Sequence, residues 1–154
     1  MREIRRKDRM MDPEEAYSLL LSGEYGFLAM VNADGGGYGI PFSYVWDGKQ
    51  TIYFHCAPEG HKLENLAKEN RVTFTVVGAT QLLPEKFATA YQSVMAFGEI
   101  TRELPEEEGK TALRLLVEKY SPDHKQSGEK YIQGAFHKTV ILKMHIHHIT
   151  GKKK

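Results

Sequence analysis

The segment from His55 to Lys62 holds the residues of this chain best suited to bind a phosphate group. It ends in Gly60-His61-Lys62, directly before apolar residues that recur at helical spacing. The free N–H groups of a helix N-terminus attract anions, a glycine lets the backbone approach them closely, and a lysine adds a positive charge. The alternative interpretation is that His61 and Lys62 are ordinary solvated residues at the start of a surface helix.

Two further motifs could do chemistry, but their context argues against it. Gly35-Gly36-Gly37-Tyr38-Gly39 leads into a strand pattern, so it is typical of a hairpin turn and not of a dinucleotide-binding loop, which opens a helix. His145 and His147 share one face of a predicted strand, where we expect no carboxylate or third histidine to complete a metal site. Serines in a nucleophile-elbow context are absent from the sequence. We therefore expect neither a metal ion nor a nucleophilic triad.

The elements that must position these residues are mostly strands. Helices are predicted over 12–23, 60–70 and 105–121 from their capping residues, prolines and apolar stripes. Six strands are predicted at Tyr25–Val31, Tyr38–Trp46, Thr51–Cys56, Arg71–Val77, Tyr91–Ile100 and from Val140 onward. The first three should form an antiparallel meander, and 78–84 and the polar segment after Pro122 should be loops. Six antiparallel strands with few helices favour a small barrel, since a parallel sheet needs a helix in each crossover.

Composition excludes several classes of protein. The 154 residues, 41% hydrophobic, suit one core, so we expect a single domain over 1–154. The 21 basic and 20 acidic residues give a net charge of +1, which argues against a nucleic-acid partner. The sequence has no apolar run long enough for a membrane span and no apolar stretch of a secretory signal at its basic start, which predicts a cytoplasmic protein. Cys56, the only cysteine, cannot form an internal disulfide or an iron–sulfur site, so redox chemistry would need an organic cofactor.

Three ordered motifs together resemble a known family: Ile40-Pro41-Phe42-Ser43-Tyr44, the segment 52–63, and Tyr91 to Gly98. Over almost its whole length the sequence resembles the nitroimidazole-resistance (Nim-type) branch of the pyridoxamine 5′-phosphate oxidase-like flavin-binding split barrels. The resemblance implies a mainly β fold, namely a six-stranded antiparallel FMN-binding split barrel with peripheral helices. It also implies a homodimer with two FMN molecules, each in a cleft between the subunits.

The resemblance also assigns residues to the cofactor. Lys62 and His61 are expected to meet the FMN phosphate, and His55 to lie beside the flavin where substrate binds, either positioning it or donating a proton. The remaining residues expected to line or approach the flavin are Ile40, Pro41, Phe42, Ser43, Gln92 and Ser93. Pyridoxamine phosphate oxidases carry Arg-Lys in place of His61-Lys62 and end in an arginine- and histidine-bearing segment, where this chain has Gly151-Lys152-Lys153-Lys154. Vitamin B6 oxidation is therefore not expected.

These features lead to three functional hypotheses. The first is an FMN-dependent oxidoreductase that takes two electrons from NADH or NADPH and passes them as hydride to a small acceptor such as a nitroimidazole or another nitroaromatic. The second is a flavin-binding protein without efficient turnover, acting as a carrier, a sensor or a sequestering protein. The third is a barrel that binds FAD or haem instead of FMN, or that has lost the flavin.

Overall fold

Seven strands and four helices make up the part of the chain that a computed structural model describes, residues 4–154. The first three residues of the basic start lie outside the described residues. The helices are α1 (Pro13–Ser22), α2 (His61–Lys68), α3 (Glu106–Tyr120) and α4 (Lys125–Ala135). The strands are β1 (Gly26–Val31), β2 (Gly37–Phe42), β3 (Val45–Trp46), β4 (Thr51–Cys56), β5 (Arg71–Leu83), β6 (Ala88–Thr101) and β7 (Val140–Lys153). Within residues 4–154, helices long and apolar enough to cross a membrane are absent.

All seven strands form one antiparallel sheet in the order β2-β1-β5-β6-β7-β4-β3. The two end strands, β2 and β3, are neighbours in the chain and are joined only by Ser43 and Tyr44. The sheet must therefore curl until its two ends approach, yet among the described residues no ladder joins them. The predicted antiparallel, mainly β architecture is confirmed, with seven strands rather than six.

The corner at Ser43 and Tyr44 corrects two predictions. The strand predicted over Tyr38–Trp46 is divided there, because the Tyr44 N–H donates to the Tyr120 hydroxyl at 2.8 Å instead of to a neighbouring strand. The predicted three-stranded meander is also wrong, because β4 pairs with β7 and β3 and not with β2. Local alternation gave the strands but could not show that the chain crosses to the opposite end of the sheet.

Two segments predicted as loops are regular elements. β5 continues to Leu83 through a bulge between Val77 and Thr80, and Gly78 fits there because a Cβ would come within 2.9 Å of Leu19. The polar segment after Pro122 contains α4, which is almost wholly polar in sequence. Its Ile132 is 2% exposed and its Gly128 lies against Val117, so packing on α3 stabilises a helix that the apolar pattern does not predict.

Two apolar cores lie on opposite sides of the sheet. Inside the barrel, Phe54 packs edge-on against Phe42 and Phe74 with ring centroids 5.2 and 5.0 Å apart, and Tyr44 packs on Phe74 at 4.7 Å. These four rings come from β2, the corner, β4 and β5, so they join the two ends of the open sheet. Outside the barrel, α3 and α4 cover β4 and β7, which places Tyr53 in the second core.

Candidate functional site

The N-terminus of α2 forms a cradle at the mouth of the barrel. Gly60 precedes the helix with φ 136° and ψ 160°, a backbone conformation essentially restricted to glycine. The Lys62 side chain folds back over this residue, with its Nζ 3.8 Å from the position a Gly60 Cβ would take and 5.9 Å from the centroid of the Phe42 ring. Within residues 4–154, Nζ of Lys62 makes no hydrogen bond or ion pair. A cation without a partner beside open helix N–H groups can bind an anion.

α2 is fixed to the β1–β2 turn by two polar contacts. The Asn65 Oδ1 accepts the Ala33 N–H at 3.1 Å, and the His61 Nε2 lies 2.6 Å from the Asn32 Oδ1. The His61 ring also packs on Tyr38, with centroids 4.6 Å apart. The predicted position of His61 and Lys62 at a helix start is confirmed. Because the Nε2 of His61 already has a partner, Lys62 is the freer of the two residues to meet a phosphate.

β2 forms one wall of the cleft beside this cradle. Ile40 and Phe42 are half-buried and pack against the barrel core, whereas Pro41 and Ser43 are exposed. β2 stands at the end of the sheet and pairs with β1 alone in the described chain, so its outer edge leaves backbone groups free. Pro41 has no N–H and is tolerated at such an edge. A planar ring that hydrogen-bonds to backbone groups fits this edge.

A cavity of about 810 Å³ lies at the end of β2, between the corner, α1 and α3. Phe42 and Ser43 line one side, and Lys119 and Tyr120 line the other. The Tyr120 hydroxyl accepts the Tyr44 N–H, and it lies within donor distance of the carbonyls of Glu24 (2.6 Å) and Tyr44 (2.8 Å). Tyr120 therefore fixes the corner that carries Ser43.

Lys119 is the residue of this cavity that the sequence analysis missed. Its Nζ is enclosed, has no hydrogen-bond partner in the described part of the chain, and lies 3.7 Å from the centroid of the Tyr44 ring. Burial lowers the pKa of Lys119 from 10.5 to about 8. A signal was present in the sequence, since Lys119 follows the buried residues Ala112 and Leu116 by seven and three positions and so shares their helix face.

His55 occupies a second cavity, of about 700 Å³, on the outer side of β4. Its side chain points away from the barrel core that holds Phe54, toward the space between α3 and α4. Burial lowers the pKa of His55, which favours the neutral imidazole. Ser43 and Tyr120 line both cavities, so the structure brings the predicted residues Ser43 and His55 together around the corner.

Gln92 and Ser93 lie apart from the other predicted residues. Pro41 on β2 pairs with Phe27 on β1, which pairs with Thr75 on β5, which pairs in turn with Met95 on β6. Ser93 lies two residues from Met95 along β6. Three steps between neighbouring strands amount to roughly 14 Å. Within one chain, Gln92 and Ser93 therefore do not share the cleft with Lys62.

The remaining candidates from the sequence do not line either cavity. Cys56 is half-buried against the barrel core, and burial raises the pKa of its thiol, an effect that the charge of Lys62 opposes. The rings of His145 and His147 are 5.1 Å apart, and the Glu99 carboxylate lies 3.8 Å from His147, so a carboxylate not expected from the sequence stands nearby. Even so, groups of three or more side chains arranged to hold a metal are absent from residues 4–154.

Comparison with known structures identifies the same fold in several proteins. A proposed 5-nitroimidazole antibiotic resistance protein from Bacteroides thetaiotaomicron is 24% identical, with a TM-score of 0.80 over 94% of this chain and 86% of that one. An FAD-binding protein from Mesorhizobium loti is 23% identical (TM-score 0.64; 95% and 97% covered). An FAD and haem binding protein from Mycobacterium smegmatis is 16% identical (TM-score 0.81; 95% and 73% covered).

The sequence itself places the chain in a family. A search of curated proteins gave no match. A family model described as pyridoxamine 5′-phosphate oxidase, however, matches residues 12–153. This match covers both candidate cavities and the α2 cradle, and it agrees with the resemblance read from the motifs. The chain belongs to the pyridoxamine 5′-phosphate oxidase family.

Proposed function

We propose that this protein binds FMN, with the phosphate at the N-terminus of α2 and the isoalloxazine ring along the free edge of β2. The observation that carries the proposal is the Lys62 ammonium, which has no hydrogen-bond or ion-pair partner in residues 4–154 and lies above Gly60 and beside Phe42. A Cβ at residue 60 would occupy part of that cradle, so glycine keeps it open to a phosphate. The cradle and the exposed Pro41–Ser43 edge are adjacent, as one ligand with a phosphate and a flat ring requires.

The identity of the cofactor is tested by the purified protein's visible spectrum and the mass of the compound released on denaturation. We expect a flavin spectrum and the mass of FMN. FAD shares the phosphate and the ring, and it is favoured as the second candidate by the FAD-binding relatives. Release of FAD would support the same binding site with FAD in place of FMN. A haem spectrum or failure to bind added flavin would contradict the proposal.

The proposed activity is the two-electron reduction of a small acceptor, such as a nitroaromatic compound, by NADH or NADPH, in the cytoplasm. When bound, the flavin supplies the electron transfer. The chain would contribute the His55 cavity, which has an apolar lining from α3 and α4 and an imidazole within reach of a ligand beside Ser43. A neutral imidazole can orient an acceptor through a hydrogen bond, and its protonated form can donate a proton.

A steady-state assay with metronidazole as acceptor tests this activity. We expect turnover with NADH or NADPH, and we expect His55→Gln to lower kcat while FMN affinity stays unchanged. His124→Gln is a matched control, because His124 also lines this cavity. A protein that binds FMN but oxidises neither nicotinamide with any acceptor would favour the alternative function of a flavin carrier, sensor or sequestering protein.

The proposed assembly is a homodimer that completes the cleft. The outer face of β1, β5 and β6 exposes Phe27 (48%), Val77 (52%) and Met95 (37%), which lie close together across the strands. Exposed apolar patches on a sheet of this kind are typical of protein interfaces. Ser93 belongs to the same face as Met95, so a second copy packed there would bring Ser93 to the cleft of its neighbour, with Gln92 next to it in the strand.

Light scattering during size-exclusion chromatography tests the assembly. We expect a dimer that persists on dilution, and we expect Met95→Glu to produce monomers that bind FMN more weakly. Glu at an exposed position away from this face, as in Gln133→Glu on α4, is the control and should leave the dimer intact. A wild-type monomer that binds FMN tightly would contradict the proposal.

A further inference from the structure

We infer that Lys119 recognises a negatively charged group in the cavity beside Ser43, either the reduced flavin ring or an acidic substrate such as an aromatic carboxylate. This inference rests on the proposed function, because it places the charged group in the flavin cleft. The cavity is lined by Phe42 and Ser43, the last residues of the edge proposed to hold the ring. Lys119 is the cationic residue of its lining.

The first argument is the lack of an acceptor for the ammonium group. Lys119 Nζ is enclosed by protein yet makes no hydrogen bond to any residue that the structure describes. Its contacts are the faces of Tyr44 and Tyr120, with centroids at 3.7 and 5.3 Å. A cation above aromatic rings is only partly compensated for its lost hydration, since three N–H donors remain unused. A ligand oxygen in the cavity could provide the missing acceptor after a rotation of the flexible side chain.

The second argument is that no acidic side chain within residues 4–154 forms an ion pair with Lys119. Glu24 lines the same cavity, but its contact with α3 is made by its backbone carbonyl, which accepts a hydrogen bond from the Tyr120 hydroxyl. Lys110, near the opposite end of α3, has different surroundings. It also lies over an aromatic ring, Phe136 at 5.6 Å, but it forms an ion pair with Glu106 at 2.6 Å. Lys110 is therefore paired with an acid, whereas Lys119 forms no ion pair with Glu24 or with any other acid in residues 4–154.

The test replaces Lys119 by methionine, which keeps the length of the side chain and removes the charge. Lys110→Met is the matched control, and Lys119→Arg keeps a cation. Lys119→Gln provides a second neutral variant in case methionine prevents folding, and circular dichroism verifies folding for each. The first measurement is the reduction potential of bound FMN without substrate. The second is a calorimetric titration with 4-nitrobenzoate and with neutral nitrobenzene, and this titration can also be done on protein without flavin.

The two sources of negative charge give different results. If the flavin is the partner, Lys119→Met should weaken binding of reduced relative to oxidised flavin about tenfold, which lowers the two-electron potential by about 30 mV. If the substrate is the partner, the potential stays constant and affinity for 4-nitrobenzoate falls about tenfold, while nitrobenzene affinity does not change. Lys119→Arg, which keeps a cation, should stay close to wild type in both the potential and the affinity for 4-nitrobenzoate. Lys110→Met should change neither quantity.

The inference is overturned if both neutral variants fold and show neither change. That result would leave Lys119 as a structural cation packed on Tyr44. Failure of the proposed function is a separate outcome, because it appears as absence of FMN binding by the wild-type protein. In that case the calorimetric titration still decides whether Lys119 recognises a carboxylate.

Discussion

Two lysines beside aromatic rings mark the two ends of the cleft, and they differ in their surroundings. Lys62, at the barrel mouth, lies 5.9 Å from the Phe42 ring and beside the open N–H groups of α2. Lys119, under the corner, lies 3.7 Å from the Tyr44 ring and is enclosed by α3 and the chain around it. Neither has an acidic partner among the described residues, whereas Lys110, Lys143 and Lys153 each do.

The difference shows how location determines what an unpaired lysine can do. At the barrel mouth, the Lys62 cation lies beside the free N–H groups of α2, and together they can bind a strongly charged phosphate. Under the corner, burial lowers the pKa of Lys119 to about 8, so the cation is less stable there and a negatively charged ligand in the cavity would stabilise it. The four changes below test this contrast.

The largest effect is expected from Lys62→Ala. Loss of a hydrogen bond to a charged group should weaken FMN binding by ~1.5–3 kcal/mol, or roughly 10- to 150-fold in Kd. Quenching of FMN fluorescence during titration measures the affinity. Lys68→Ala, in the last turn of the same helix, is the control and should retain wild-type affinity. Equal affinity of Lys62→Ala and wild type would place the phosphate elsewhere.

Gly60→Ala tests the cradle that positions Lys62. An alanine at φ 136° and ψ 160° is strained by about 1–3 kcal/mol, so urea unfolding should show lower stability and FMN should bind more weakly. Gly37→Ala is the comparison, because nothing lies within 4 Å of its added Cβ and its φ is not positive. If both substitutions change stability equally, the backbone at residue 60 does not need glycine.

Tyr120→Phe tests the corner above Lys119. Removing the hydroxyl leaves the Tyr44 N–H without its 2.8 Å acceptor, which should destabilise the protein by ~1–2 kcal/mol. Thermal unfolding measures this loss. Tyr131→Phe, on the exposed side of α4, should alter the melting temperature far less. A stable Tyr120→Phe variant would mean that water or another residue holds the corner as well.

The smallest effect is the pH dependence of stability caused by Lys119. The pKa of Lys119 is about 8 in the folded protein and 10.5 in the unfolded chain. Between pH 8 and pH 10.5 the unfolded chain therefore binds more protons than the folded protein, and the stability of the wild type should rise with pH over this range. Lys119→Met should lack this increase. Because the group is only half-buried and Tyr44 and Tyr120 also face it, we expect a relative gain of order 1 kcal/mol from pH 7 to pH 10. Parallel stability curves for both proteins would contradict the low pKa.

The two regions also differ in how far the sequence predicts them. The α2 cradle could be predicted because its signal is local: a strand, a glycine and two basic residues opening a helix. Lys119 and Tyr120 contact the corner at Tyr44, which lies 76 residues before Tyr120 in the sequence. Alternation predicted most strands, but not the crossing at Ser43, the bulge at Gly78 or the polar α4, all of which depend on packing against distant parts of the chain.

The central claim is that the α2 cradle binds a flavin phosphate through Lys62. Fluorescence titrations of wild type and Lys62→Ala with FMN and with riboflavin, which lacks the phosphate, test it most directly. We expect wild type to prefer FMN over riboflavin at least about tenfold, since each charged hydrogen bond contributes ~1.5–3 kcal/mol, and Lys62→Ala to lose most of that preference while riboflavin affinity stays constant. An equal preference in both proteins, or none in wild type, would contradict the claim.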